Sequence, residues 1–336
     1  MFRFRILIFI TFLANSLAAQ QVQARFATQV AMTPVAAKAA EITQGLVTER
    51  EKVTALFHWV TGNISYKVAS RISVTPAWRV RSLAEEDTSS VLKPLDERVA
   101  ENVLAKREAV CDGYARLFKT LCQYAGIKAE VVTGYARGSS NRGFRSNHSW
   151  NAVMIENNWY LVDATWAAGY VGYFGDTFIR SYDNRYFLAA PQQFIEDHYP
   201  EDPFWTLLPQ LQQLPEFNRS PFRHSGYVRQ HIIGYAPYEG ILEAEVGDTL
   251  HFELESNMPG YPIEIWDRPF GDPRLHTGPV WRNYPEQPFQ ASGRKVKLSY
   301  VVQTPEIRWL YVVYGGESIL QYRLQVKPSP VAGTAK

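Results

Sequence analysis

Cys111 falls where a helix begins, in the run Ala109-Val110-Cys111-Asp112-Gly113-Tyr114-Ala115. A thiol there faces the positive end of the helix dipole and the unpaired N–H groups of the first turn, which together stabilise a thiolate. The same N–H groups can hold an oxyanion. A cysteine is equally at home as a small buried hydrophobe, so this residue alone decides nothing. Cys122, the other of the 2 cysteines in the chain, supplies a comparison. It lies roughly three helical turns further on, about 16 Å along the axis, on the same face as Ala115, Phe118 and Ala125. Disulfide geometry needs Cα atoms within about 7 Å, so these two thiols cannot bridge inside one helix. Cys122 sits mid-helix on the apolar stripe and reads as core. Cys111 has the terminal position a nucleophile needs.

A thiol nucleophile wants an imidazole to take its proton, and the imidazole wants a carboxylate to fix its tautomer. His148 and Asp163 are the candidates. His148 opens the alternating run His148-Ser149-Trp150-Asn151-Ala152-Val153-Met154-Ile155, and Trp159-Tyr160-Leu161-Val162-Asp163 returns after a turn. With Glu156-Asn157 as a two-residue turn, Asp163 lies opposite Trp150. His148 is then its diagonal neighbour on one face, with Cβ atoms roughly 7 Å apart and within hydrogen-bond reach. With Asn157-Asn158 as the turn, Asp163 faces Ala152, and a bulge is needed to bring it to His148. The residues leave both registers open.

These three side chains need a scaffold. Pro34 to Leu46 reads as an Ala-rich helix, and Thr48-Glu49-Arg50-Glu51 as a capping box. Val53, Leu56, Phe57 and Val60 then form one apolar stripe of a helix ended by Gly62, and Ile64-Ser65-Tyr66 starts something extended. Residues 67–105 read as loop plus one helix. The helix from Cys111 to Ala125 stops at Gly126. Strands are expected at 130–135, 148–155 and 159–164. Residues 191–222 hold six of the 20 prolines and read as a wrapping linker. Beyond Gly226 the period becomes two, as in Leu250, Phe252 and Leu254, or Val296, Leu298, Tyr300 and Val302. Ile307, Trp309, Tyr311 and Val313 run through Gly315-Gly316 into Leu320, Tyr322, Leu324 and Val326, a strand, a hairpin turn and a strand. Short alternating strands over about 100 residues predict a β-sandwich.

Composition bounds what surrounds the site. A length of 336 residues suggests about two domains, and 46% hydrophobic with 20% charged residues excludes a wholly disordered chain. Lys+Arg 35 against Asp+Glu 33 leaves no electrostatic footprint for nucleic acid. No Cys/His run has zinc spacing, and nothing suggests a calcium loop or nucleotide site, so no cofactor or metal is expected. Met1, Arg3 and Arg5, the apolar run Ile6 to Leu17, and the small residues Ser16, Ala18 and Ala19 read as a secretory signal peptide cleaved after Ala18 or Ala19. The apolar run is about a dozen residues, short of the roughly 20 a spanning helix needs. The expectation is a secreted or periplasmic protein with no stable membrane insertion after cleavage.

The motifs Cys-Asp-Gly-Tyr-Ala-Arg-Leu-Phe at 111–118, Ala-Gly-Ile at 125–127, Gly-Tyr-Ala at 134–136, His-Ser-Trp-Asn at 148–151 and Trp-Tyr-Leu-Val-Asp-Ala-Thr-Trp at 159–166 resemble the transglutaminase-like superfamily of papain-type cysteine enzymes. Phe57-His58-Trp59-Val60 and Ile64-Ser65-Tyr66 resemble that family's lead-in helix and strand. Tyr186-Phe187-Leu188, Pro191, Phe194-Ile195 and His198-Tyr199-Pro200-Glu201-Asp202-Pro203 are similar to its kyphoscoliosis-peptidase-like branch, whose members often carry a β-sandwich after the catalytic domain. The resemblance covers about 34–208. It implies an α+β fold, a transglutaminase-like, papain-like catalytic domain followed by an all-β, Ig-like sandwich. The boundaries expected are a signal peptide at 1–19, catalytic domain at 20–208, linker at 209–225, β-sandwich at 226–328 and disordered tail at 329–336.

Carried over by position, the resemblance makes Cys111 the nucleophile, His148 the base and Asp163 the orienting carboxylate, with Trp150 and Trp166 walling the site. Two positions depart from the pattern. Ala109 stands where the family usually has Gly, and Ala105 where papain has a Gln, so the second oxyanion donor is unassigned. The implied chemistry is acyl transfer: the Cys111 thiolate attacks an amide, His148 protonates the leaving amine, and a thioester acyl-enzyme forms. Water then gives hydrolysis, and an amine gives an isopeptide bond. The triad does not distinguish the two. The fold is more often hydrolytic in bacteria, which favours a peptidase or amidase over a cross-linking transglutaminase. Its expected substrates are extracellular protein or cell-wall peptide. A non-catalytic binding scaffold is the rival from another class.

Overall fold

A computed structural model describes residues 32–68, 93–138, 143–172, 175–258, 260–268 and 294–327. The expected signal peptide and tail lie outside the described residues. Helix α1, Pro34–Ile42, is shorter than its Ala-rich composition suggests. Thr43 caps it, and Gly45 at φ 77° turns the chain toward Thr48. Helix α2, Glu49–Asn63, opens with both halves of the capping box: the Thr48 hydroxyl accepts from the Glu51 amide, and the Glu51 carboxylate accepts from the Thr48 amide. Strand β1, Ser65–Tyr66, pairs in parallel with β2, Glu108–Ala109, across helix α3, Leu95–Lys106. Helix α4, Cys111–Tyr124, follows directly, and Gly126 at φ 79° closes it.

Helix α4 is the hub of the first core. Leu117, Phe118, Leu121 and Cys122 are buried against Val53, Leu56 and Phe57 of α2, and the Phe57 and Phe118 rings meet edge to face at 5.8 Å. Its other neighbour is a four-stranded antiparallel sheet. This comprises β3, Ala129–Ala136, β4, His148–Ile155, β5, Asn158–Val162, and β8, His198–Pro200, in the order β5-β4-β3-β8. Between β5 and β8 run helix α5, Ala164–Ala168, the hairpin of β6, Gly169–Val171, and β7, Phe178–Arg180, and helix α6, Pro191–Phe194.

The hairpin joining β4 to β5 resolves the register. Ile155 pairs with Asn158, and Glu156 and Asn157 both take positive φ, 51° and 63°, as a tight two-residue turn requires. Asp163 therefore continues past the strand toward Trp150, the first of the two alignments.

Glycine is obligatory at 134, where β3 lies between its two neighbours. A methyl group there would stand 2.2 Å from the Tyr199 carbonyl oxygen and 2.8 Å from the Pro200 Cα. Both are backbone atoms of β8 and cannot step aside. Gly134→Ala is expected to cost about 3 kcal/mol by forcing β8 away. A denaturant midpoint unchanged from wild type would contradict this.

The proline-rich stretch differs from the expected wrapping linker. Its first part supplies β8 to the catalytic sheet, and its later residues Leu214, Phe217 and Phe222 are buried with Tyr135, Phe144 and Tyr199 in a core of their own. Strand β9, Phe222–Arg223, pairs with the last described strand. After helix α7, Ser225–Arg229, the described elements are all strands. These are β10, Ile232–Ala236, β11, Ile241–Glu245, β12, Thr249–Ser256, β13, Ile263–Trp266, β14, Lys295–Val301, β15, Trp309–Tyr314, and β16, Glu317–Lys327. One sheet runs β10-β12-β14 and the other β11-β16-β15-β13 with β9 on β16. Phe252 and Leu254 from the first and Leu310, Val312 and Tyr322 from the second share a core.

Candidate active site

Helix α4 presents Cys111 as its first residue. Val110 precedes it in extended conformation and offers no side-chain cap, so the first-turn N–H groups are left for another acceptor. Cys111 is partly exposed and Cys122 fully buried, and both thiols are free. Burial pushes the Cys122 thiol well up from its ordinary value. Ala109 is accommodated where the family usually has glycine because Gly113, one turn into the helix, lacks a side chain: a Cβ on Gly113 would meet the Ala109 methyl at 2.7 Å. A buried Asn151 ties β4 to this turn, its amide donating to the Ala115 carbonyl at 2.9 Å and to the Glu130 carbonyl at 3.1 Å.

His148 opens β4, and its Nε2 lies 2.7 Å from Oδ2 of Asp163. The Cys111 thiol also acts on the ring and favours its proton. Asp163 is fully buried. It is also the cap of helix α5 rather than a strand residue, its Oδ1 accepting from the amides of Thr165 at 2.8 Å and Trp166 at 3.2 Å. One oxygen is thus fixed by a helix N-terminus, and the other is aimed at the sheet. Burial pulls the His148 pKa down, but Asp163, with help from Cys111, more than compensates and raises it to about 10. The converse holds at Asp163: burial pushes it up, and His148 and then His198 hold it far below the usual carboxylate range. The pair is imidazolium and carboxylate.

His198 was not singled out by its sequence as a site residue, yet it reaches the same carboxylate. It is fully buried on β8, its Nε2 3.1 Å from Asp163 Oδ2 and its Nδ1 against Asp197. His148, Asp163 and His198 offer ligand atoms within 4.8 Å of one another. Both Nε2 atoms are directed at one oxygen at hydrogen-bond distance, so an ion could enter only by breaking both bonds.

Trp150 and Trp166 wall the two imidazoles as expected. Trp150 stacks on His148 with centroids 6.2 Å apart, and Trp166 lies 5.4 Å from His148 and 4.6 Å from His198. A cleft of about 530 Å³ opens beside His148, lined by Trp166, Tyr170, Phe178 and Tyr186 among others.

A helix that presents a thiol thus stands against a sheet that pairs a histidine with an aspartate. Residues 36–164 match the family model for the transglutaminase-like superfamily, and this segment is a transglutaminase-like domain. Beyond that segment the chain is similar to kyphoscoliosis peptidases. It is 30% identical over 224 residues to kyphoscoliosis peptidase of Homo sapiens, covering 65% of this chain and 31% of that protein. It is 33% identical over 134 residues to hillarin of Drosophila melanogaster, covering 35% of this chain and 16% of that protein. A solved structure described as a TGase is a looser likeness, at TM-score 0.25 and 17% identity over 51% of this chain and 42% of that one. The chain spans under a third of the length of the curated relatives it matches here.

Proposed function

We propose that the chain is an exported cysteine acyl-transfer enzyme that hydrolyses peptide or amide bonds through a thioester on Cys111. The observation that carries this reading is the His148 ring held 2.7 Å from Asp163 Oδ2, with the Cys111 thiol at the start of helix α4 favouring its proton. Asp163 fixes the imidazolium, the ring holds the thiol in its nucleophilic form, and the uncapped first turn of α4 receives the oxyanion of the tetrahedral intermediate. His148 then passes its proton to the departing amine. Water attacks the thioester and restores the thiol. The signal-like leader supports export, and extracellular protein or cell-wall peptide is the substrate class. The two C-terminal sheets are the Ig-like sandwich that accompanies the catalytic domain in this branch.

Incubation of the full chain with a panel of peptides, read by intact mass, tests the reading. The expected result is cleaved peptide and, on rapid acid quench, a thioester adduct on the protein, both absent in Cys111→Ala. Adding a lysine analogue separates the outcomes. Unchanged cleavage supports hydrolysis, whereas diversion of acyl product onto the amine would overturn it in favour of cross-linking.

A further inference from the structure

His198 is a buried titratable group that the triad leaves unused. It packs against the site from three sides: Phe194 stacks on its ring at 4.2 Å, and Trp166 and Trp150 meet it edge-on at 4.6 and 5.0 Å. These rings fix its plane. One nitrogen then points at Asp163 Oδ2 and the other at Asp197 Oδ1, and Asp197 also accepts from the Tyr186 hydroxyl at 3.1 Å. The ring thus has a nitrogen within hydrogen-bond reach of each carboxylate, and its Nε2–H is the donor to Asp163. The strand that carries it is anchored from behind. Tyr199 turns the opposite way, and its hydroxyl accepts at 2.9 Å from Gln321, a buried residue of β16.

We propose that His198 is a positioning residue for the triad, a second imidazole donor backed by Asp197 that holds Asp163 as the anion orienting His148. The proposal rests on reading Cys111, His148 and Asp163 as catalytic. Asp163 then has four donors: two backbone amides on Oδ1 and two imidazoles on Oδ2. Asp163 also acts on the Tyr114 phenol, and His198 is faced by Asp163, Asp197, Tyr186 and the His148 ring, the last at 5.5 Å. Removing one donor raises the proton affinity of a buried carboxylate. The site therefore takes up its inactivating proton at higher pH.

The test is the second-order rate of Cys111 alkylation by iodoacetamide in the full chain, from pH 9 down to the lowest pH at which the chain stays folded. His198→Phe keeps a flat ring in the aromatic cage and deletes the donor; His198→Gln keeps a donor. The Phe variant is expected to move the acid limb up by about one pH unit and to slow labelling up to about tenfold on that limb. The Gln variant should recover to within about threefold of wild type. Asp197→Asn should shift the limb the same way by less, and it decides the matter if His198→Phe does not fold. A wild-type limb in the Phe variant, or a Gln variant as slow as the Phe variant, would overturn the proposal. Labelling of wild-type Cys111 that ignores His148→Ala would overturn the catalytic reading instead. Fast, His148-dependent labelling with an unmoved limb sinks only the role given to His198.

Discussion

Iodoacetamide is expected to label Cys111 on the order of a hundredfold faster than Cys122 near neutral pH in the folded chain. The two thiols share one helix, so helix content, temperature and reagent are held constant between them. Their surroundings differ. Cys122 is fully buried among Phe118, Leu121 and the α2 stripe, and the absence of water pushes its thiol up. Its labelling has to wait for the core to open, which ties its rate to the unfolding equilibrium. Cys111 is partly exposed, at an uncapped helix terminus with His148 beside it. His148→Ala should slow Cys111 by removing the imidazolium partner and leave Cys122 untouched. Site-resolved mass spectrometry across pH 5 to 9 reads both positions in one sample. Equal slow labelling at the two positions would end the enzyme reading in favour of a scaffold.

How far the sequence carried this site depends on how local each signal is. The capping box of α2 and the β4–β5 hairpin are encoded within about fifteen residues of chain each, but two overlapping turn dipeptides leave the hairpin register, and with it the approach of His148 to Asp163, to the structure. Asp163 itself reads as a strand end because four apolar and aromatic residues precede it. Its second role as the cap of a five-residue helix leaves too short a pattern to detect.

His198 enters the sequence reading only within a resemblance motif, with no role at the site, for a different reason. Strand β8 is three residues long, below the reach of any periodicity, and stands in a proline-rich stretch that reads as linker. What brings it to Asp163 is pairing with β3, permitted by the missing side chain at Gly134. In the C-terminal strands the alternation was legible, but its meaning was incomplete. Strand β15 is buried on both faces, Leu310, Val312 and Tyr314 in the core between the sheets and Tyr311 beneath Gln321 on the other side. A strand covered on both sides loses the inside-out contrast that a one-sided strand keeps.

Replacing Asp163 by Asn is expected to lower peptide turnover about a thousandfold and to remove most of the pH dependence of stability above neutrality. The sign follows from His148. Its folded pKa, about 10, lies above its ordinary 6.5, so the native state binds that proton more tightly than the unfolded chain does. The stabilisation is whole below pH 6.5 and is lost as pH rises through about 10. Asp163, depressed in the fold, contributes above its ordinary 3.8 and loses its contribution as pH falls further. His224 acts oppositely to His148. Burial lowers it to about 4, so its penalty appears as pH drops below 6.5. Together these place the wild-type maximum near pH 6.5. One pKa unit corresponds to about 1.4 kcal/mol, so the His148 elevation sets a ceiling of roughly 5 kcal/mol on the alkaline loss. The Asp163 depression describes the same pair and is not added to it. In Asp163→Asn the backbone amides of Thr165 and Trp166 still find an oxygen, which keeps helix α5 capped, while His148 loses the charge that holds its proton. Denaturant midpoints for both proteins between pH 5 and 10 give the comparison. The variant should be less stable by a few kcal/mol at pH 6 and nearly level from 6.5 upward. Parallel wild-type and variant curves over that range would show that no imidazolium–carboxylate pair stands at the centre of this fold.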